Sequence, residues 1–378
     1  MLTVCRNDMC TGCMACMDVC PKGAIHIEDS LKAYNAVIDE MKCVNCNACW
    51  DVCQSNNDVE YTYPIQWKQG WIINNELRAE SSSGGAATSF SRFFIEKGGI
   101  VCSCTFSNGK FEFEFAESMD ELNKFKGSKY VKSNPIGIYK KIREKLKDGN
   151  KVLFIALPCQ VAAVKRFVKG KIEENLFTVD LICHGTPSPI LLKKFLNDYG
   201  YSVEDIRDIK FRKKNNYHVY KDYRGIVPER VQDTYTHAFL ICLDYTENCY
   251  FCKYACIERV SDITIGDSWG SNLKEEEVKG ISLVLCQTDK GKWLINNSGM
   301  HFEDVDIERA VEQNHQLRHP SIPSEKRKQF LTLLQNKKGF NQAFSKCYPN
   351  VYYRQKLKGT LVKLGLIKSG VSIKNNTV

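Results

Sequence analysis

The chain has 378 residues, 19 of them cysteine, and a formal net charge of +9. Hydrophobic residues at 43% and charged residues at 26% are ordinary for a globular protein, which excludes a disordered or collagen-like chain. No stretch approaches the roughly 18 apolar residues of a membrane span, and the polar, cysteine-rich N-terminus is unlike an export signal, so a cytoplasmic protein with reduced thiols is expected.

The first element is a repeated cysteine run. "CTGCMACMDVCP" holds Cys10, Cys13, Cys16 and Cys20, and "CVNCNACWDVCQ" repeats the spacing with Cys43, Cys46, Cys49 and Cys53. Three cysteines three residues apart wrap three corners of a cubane. The fourth sits on the start of a helix that points away, and so ligates the other cluster in two-cluster ferredoxins. One 4Fe-4S cluster is therefore expected on Cys10, Cys13, Cys16 and Cys53, and a second on Cys43, Cys46, Cys49 and Cys20. Structural zinc is the competing reading, but it prefers two separated pairs. Residues 1–60 resemble the bacterial two-cluster ferredoxin domain. Cys5 is left over as a packed or exposed thiol. Each oxidised cubane with its thiolates carries about two negative charges, so three would reduce the total to roughly +3. No nucleic-acid partner is expected.

Residues 61–80 read as a linker. "SSSGGAATSFSRFFIEKGG" then places a loop of Ser81, Ser82, Ser83, Gly84 and Gly85 before a helix over 86–97 that contains Thr88. Small residues at a helix N-terminus let backbone N–H groups approach a phosphate, though a serine-capped helix explains the same letters. Lys126, Lys129 and Lys132 follow, spaced for a phosphate or for a solvated face. "IVCSCTFS" and "FEFEFAES" predict a hairpin. "KVLFIAL" and "LFTVDLI" predict buried strands, each followed by a helix, which places ligands at the carboxyl edge of parallel strands. Cys159 and Cys183 stand at that edge. With Cys249 and Cys252 of "CYFCKYAC" they could close a third cluster, against the commoner use of lone cysteines as small buried hydrophobes. That commoner use is assigned to Cys102, Cys104, Cys242, Cys286 and Cys347, and Cys256 is a possible substitute ligand. His184 could donate a proton or brace its loop. Asp267 reads as a turn-former. Residues 321–378 read as a helical extension. Its tail from 351 onward could rest on an anionic surface or dock an acidic partner, but its glycines favour a frayed, solvated end, and membrane contact is not expected.

"GSKYVKSN", "KVLFIALPCQVAAVKRF", "DLICHGTPSP", "IKFRKKNNY" and "CYFCKYACIERVSDITIGDSWG" together resemble the family of coenzyme F-420 hydrogenase/dehydrogenase beta subunits, in the bacterial form with an N-terminal ferredoxin domain. The resemblance implies FAD, with FMN possible, held by the Ser81–Gly85 loop, Thr88 and Lys129. It also implies a cluster on Cys159, Cys183, Cys249 and Cys252, and electron transfer with a small redox partner. Related enzymes reduce a deazaflavin, a hydroxymethyl-chlorophyll or a vinyl tetrapyrrole. Ala156-Leu157-Pro158-Cys159 departs from the family's Gly-Thr-Pro-Cys, losing a glycine and a hydroxyl. The expected architecture is an α+β ferredoxin-like domain (1–60), then an α/β flavin-binding domain with a mixed sheet (81–320). The expected function is an iron–sulfur flavoprotein oxidoreductase acting between a soluble ferredoxin or similar protein and a small-molecule substrate. The alternative is a non-catalytic subunit relaying electrons to a partner protein.

Overall fold

The computed structural model describes residues 2–367, so the basic tail from 368 lies outside the described residues. Each cysteine run folds as a loop closed by a five-residue helix, α1 (Ala15–Val19) and α2 (Ala48–Val52), so the fourth cysteine, Cys20 or Cys53, ends a helix rather than starting one as expected. The residue before each helix, Met14 and Asn47, is left-handed at φ 59° and 60°. Non-glycine residues adopt this backbone only when the surroundings over-determine it, and here both loops adopt it at the same step. Strands β1 (Ile25–Asp29) and β2 (Tyr34–Ile38) pair antiparallel beside them.

The region 61–80 is not a linker. It contains β3 (Gln66–Ile72) and α3 (Asn75–Glu80), and β3 is an interior strand of the main sheet. Its polar letters hid it, since Gln69 is buried on hydrogen bonds from Ser268 and Ser271 rather than on apolar contacts. Helix α4 (Ala86–Glu96) follows and buries Phe90, Phe93 and Phe94. Strands β4 (Ile100–Ser107) and β5 (Lys110–Ala116) form the expected hairpin. Asn108 and Gly109, both at positive φ, make its two-residue turn.

Helix α5 (Ile138–Lys147) leads to β6 (Val152–Ile155), α6 (Pro158–Phe167), β7 (Leu176–Leu181) and α7 (Pro189–Asn197). A small sheet of β8 (Ile209–Lys213), β9 (Asn216–Lys221) and β10 (Arg224–Gly225) stands apart, followed by α8 (Thr234–Leu240). Strands β11 (Ile263–Asp267), β12 (Ser282–Cys286) and β13 (Met300–Glu303) complete a main sheet ordered β13-β3-β12-β11-β7-β6-β4-β5. Its centre, β4, β6, β7 and β11, is parallel, and the strands on either side are antiparallel, so the sheet is mixed as expected. All four residues of β6 and all five of β12 are buried, as strands covered on both faces require.

Two features bind the parts together. The cysteine loops share one hydrophobic core with α5, α6 and β6, including Ala15, Val52, Ile142, Val161 and Phe154. At the C-terminal end, Phe330, Phe340 and Phe344 are buried against Phe195 and Tyr235. The last helix, Pro349–Lys363, runs through Gly359 and ends at Gly365 (φ 71°), which corrects the expectation of a frayed segment up to that point. Among the described residues no helix is long and apolar enough to cross a membrane.

Candidate metal and cofactor centre

The N-terminal thiols gather crosswise. Cys13, pushed up to about 12 by burial, is next opposed by charge on Cys53 and Cys10. Cys16 is raised by burial and then by Cys13, Cys10 and Cys53. Cys49 is raised by burial, with Cys20 and Cys43 acting on it in turn. Cys53 thus sits with the first loop and Cys20 with the second, although each is the last cysteine of the other run. The two loops differ in cover. Cys10, Cys13, Cys16 and Cys53 are buried, whereas Cys46 is exposed beside Met41 (95% exposed) and Trp50 (51%). Backbone N–H groups of Gly12 and Asn45 donate to Cys10 Sγ and Cys43 Sγ, both at 3.4 Å, at equivalent steps of the repeat. Hydrogen bonds to sulfur are one means by which a protein sets cluster potential.

Cys5 is the packed rather than the exposed thiol of the two readings. It is buried against Cys10 and Cys53, and hydrogen bonding to them holds its thiol well above the usual range.

The carboxyl edge of the parallel strands carries the second set. Cys159 lies in the first turn of α6, directly after β6, and Cys183 follows β7. Leu157 begins α6 without a hydroxyl and makes no side-chain cap; Gln160 Oε1 accepts from its backbone N–H at 3.1 Å, which is only the reciprocal half of a capping box. Cys159, Cys183, Cys249 and Cys252 line one cavity of about 230 Å³, together with Cys5, Lys132 and Tyr254. Burial, then Cys249 and Cys252, push Cys183 up to about 12. Cys256 does not line the cavity, and its thiol donates to the Glu258 carbonyl at 3.1 Å. Among the described residues no three Cys, His, Asp or Glu side chains stand at the spacing of a single-ion site.

A second cavity, of about 450 Å³, shares the wall Cys183–Thr186 with the first. Ser81, Ser82, Ser83, Gly85, Thr88 and Lys129 all line it. Gly85 caps α4 in the left-handed conformation (φ 89°) and offers no side-chain acceptor, which leaves first-turn N–H groups for an anion. Gly84 does not line the cavity. A Cβ there would stand 2.2 Å from the Gly70 carbonyl and 2.5 Å from the Ser282 nitrogen, so this glycine permits loop-to-sheet packing rather than phosphate approach. Lys129 Nζ donates to the Phe125 carbonyl at 2.7 Å, and burial holds its ammonium below the usual range. Lys132 leaves this group and lines the other cavity.

Arg212 stands in the resembling stretch "IKFRKKNNY", but the sequence assigned it no role. From β8 it forms a two-point pair with Asp267 at the end of β11, at 2.7 and 2.8 Å, and also donates to the Ser82 carbonyl. Asp267 is therefore a cavity residue, not a turn-former. Tyr130 and Tyr217 stack beside the pair, their ring centroids 5.8 Å apart. No periodicity could have announced Arg212, because the contact joins the small sheet to the large one. Cys104 and Cys242, read as packing residues, also reach this cavity wall. His184 lies in both cavity walls, with Nδ1 2.6 Å from Gln316 Nε2. Burial, reinforced by His315, pushes it down to about 4, so it is neutral at physiological pH and fits a bracing role better than proton donation.

Residues 149–307 match the model of the C terminus of the coenzyme F420 hydrogenase/dehydrogenase beta subunit, a span that includes Cys159, Cys183, Cys249, Cys252 and Asp267. Over that stretch the chain is similar to that family of beta subunits. Residues 9–57 match a 4Fe-4S dicluster domain, which covers both cysteine runs. Among curated relatives is an F(420)H(2) dehydrogenase subunit of Methanosarcina mazei, 22% identical over 297 residues, 73% of this chain and 81% of that protein. A chain in the solved F420-reducing [NiFe] hydrogenase complex from Methanosarcina barkeri is 18% identical, covering 68% of this chain and 91% of the other, at a TM-score of 0.43. The Ser81–Gly85 loop and Lys129 lie outside both matched segments.

Proposed function

We propose that the chain is an iron–sulfur flavoprotein oxidoreductase. It would pass electrons between a ferredoxin-type protein and a flavin, FAD in the first instance, that acts on a small organic substrate or a deazaflavin-like coenzyme. The observation that carries this reading is the wall Cys183–Thr186, common to the four-cysteine cavity and to the larger serine- and lysine-lined cavity.

In this reading Cys10, Cys13, Cys16 and Cys53 hold the buried cluster. Cys20, Cys43, Cys46 and Cys49 hold the exposed one, and Cys159, Cys183, Cys249 and Cys252 hold a third. Clusters move single electrons, and a bound flavin supplies the step between one and two electrons. The chain's own residues orient and insulate. Ser82, the first turn of α4 and Lys129 receive a phosphate. Arg212, fixed by Asp267, presents a permanent cation to the cavity. Gln316 fixes the His184 ring. The exposed Cys46 loop with its apolar apron of Met41, Val44 and Trp50 suits the docking of a redox protein.

Anaerobically purified protein is expected to hold about twelve iron per chain and to release a flavin on denaturation, and Cys183→Ala should lose about four iron while Cys286→Ala loses none. Equal iron in the two variants would remove the third cluster, and a chain that binds neither FAD nor FMN would remove the flavin. The relay reading has its own support, since the Methanosarcina mazei relative is by name one subunit of a dehydrogenase. It predicts twelve iron, no flavin and no turnover of reduced ferredoxin without a partner protein.

A further inference from the structure

Lys132 is a buried lysine, 4% exposed, whose single side-chain hydrogen bond among the described residues runs from Nζ to the Thr11 carbonyl at 3.0 Å. Thr11 lies inside the loop between Cys10 and Cys13. The ammonium also stands 5.2 Å from the centre of the Tyr34 ring. The stem reaches this place because residue 12 is glycine: a Cβ there would come within 2.9 Å of Lys132 Cδ and of Tyr34 Cδ2, at φ 71°. At its other end the Lys132 backbone N–H donates to the Pro187 carbonyl at 2.9 Å, tying it to the loop that carries Cys183. The side chain lines the four-cysteine cavity. Lys132 therefore stands between the Cys10–Cys13 loop on one side and the cavity lined by Cys159 and Cys183 on the other.

A buried ammonium held by one carbonyl and one ring is poorly compensated, and no carboxylate among the described residues forms an ion pair with it. Asp29 lies within reach of this charge, but its carboxylate oxygens are taken by Ser188 Oγ at 2.5 Å and the Leu31 backbone N–H at 2.9 Å. The cysteines of the two proposed clusters stand on either side of Lys132. The geometry points to Lys132 as the shared counter-charge of the buried and third clusters, setting both potentials from one position between them. This rests on the three-cluster reading above and adds a residue to it. Each cluster gains one electron on reduction, and no bond to Lys132 forms or breaks. A fixed cation favours the more negative, reduced form, so its removal should make both clusters harder to reduce. Lys132 is a positioning and tuning residue, not a catalytic one. The exposed cluster, on Cys20, Cys43, Cys46 and Cys49, takes no part and serves as an internal reference.

The test is a redox titration followed by electron paramagnetic resonance on holo protein, comparing wild type with Lys132→Met, Lys132→Gln and Lys132→Arg. Iron content is measured first, and fewer than twelve iron in wild type would refute the three-cluster reading rather than the role of Lys132. With iron intact, Lys132→Met and Lys132→Gln should disfavour reduction of two clusters by at least tenfold, which is about 59 mV for one electron. The reference cluster should not move, and Lys132→Arg should restore the wild-type values. If the neutral variants lose iron while Lys132→Arg keeps it, the positive charge is again what the clusters require. No shift, an equal shift of all three clusters, or loss of iron by the arginine variant as well would overturn the inference.

Discussion

Asp244 is fully buried, and neither carboxylate oxygen has a hydrogen-bond partner among the described residues. Burial pushes its carboxyl well above the ordinary 3.8, and Arg327 offsets only part of this. The folded chain therefore binds this proton more tightly than the unfolded chain does. The stability it contributes is fully present below pH 3.8 and is lost as pH rises from there toward the folded value. The loss amounts to about 1.4 kcal/mol for each pH unit across that window. Asp244→Asn carries no such charge. Thermal melts at pH 5 and pH 8 should show the wild type losing stability with rising pH and the variant losing less. The variant should also melt higher at pH 8, and parallel losses would place the titration elsewhere.

The repeated cysteine loops make the clearest case for individual elements. Spacing alone predicts that Cys53 belongs to the first loop and Cys20 to the second, and the thiol neighbourhoods agree. Their unequal cover makes this measurable. Iron near the exposed Cys46 should pass to a chelator quickly, and iron among the buried Cys10, Cys13, Cys16 and Cys53 slowly. Cys53→Ala should remove about four iron from the slow fraction, and Cys20→Ala about four from the fast one. The reverse assignment would mean that each run closes its own cluster. Strand β3 makes the opposite case: a segment with no apolar alternation became an interior strand because Gln69 satisfies its amide on Ser268, Ser271 and the Asp304 carbonyl.

Across the whole molecule, the N-terminal unit is built into the rest. Asp18 of α1 accepts from the backbone N–H groups of Gly137 and Tyr139, at 2.6 and 3.2 Å, and so caps α5 from outside its own helix. Lys253 Nζ donates to the Gln54 carbonyl at 2.6 Å, and Arg166 donates to the Asp51 carbonyl. The sequence reads residues 1–60 as a ferredoxin-like domain of their own, yet the hydrophobic core runs on from the cysteine loops into α5, α6 and β6. A chain lacking residues 1–60 should therefore lose the Asp18 cap, worth about 1 kcal/mol, and uncover the apolar faces of α5 and α6. It should aggregate or melt far below the full chain in scanning calorimetry. Starting at Trp71 would do further damage, because it removes five of the seven residues of β3. A truncated chain that stays monomeric with an unchanged melting temperature would show that the two parts fold independently after all.

Local chemistry decided what could be read directly. Cysteine spacing, the Asn108-Gly109 turn, the apolar strands β6 and β7 and the rim positions of Cys159 and Cys183 each depend on neighbours within a few residues, so the sequence by itself determined them. The sequence also implied a serine loop facing a cavity, through a family resemblance rather than through its own letters. What lay beyond it was every pairing across the sheet: Arg212 with Asp267, Gln69 with two serines, Gly84 against Gly70, and Lys132 threaded past Gly12. Each joins residues between 14 and 202 positions apart, and a polar or small residue looks the same in sequence whether it is solvated or buried on a distant partner. Only the tertiary structure decided these, because the partner that makes burial of a charge or an amide tolerable is supplied by another part of the chain.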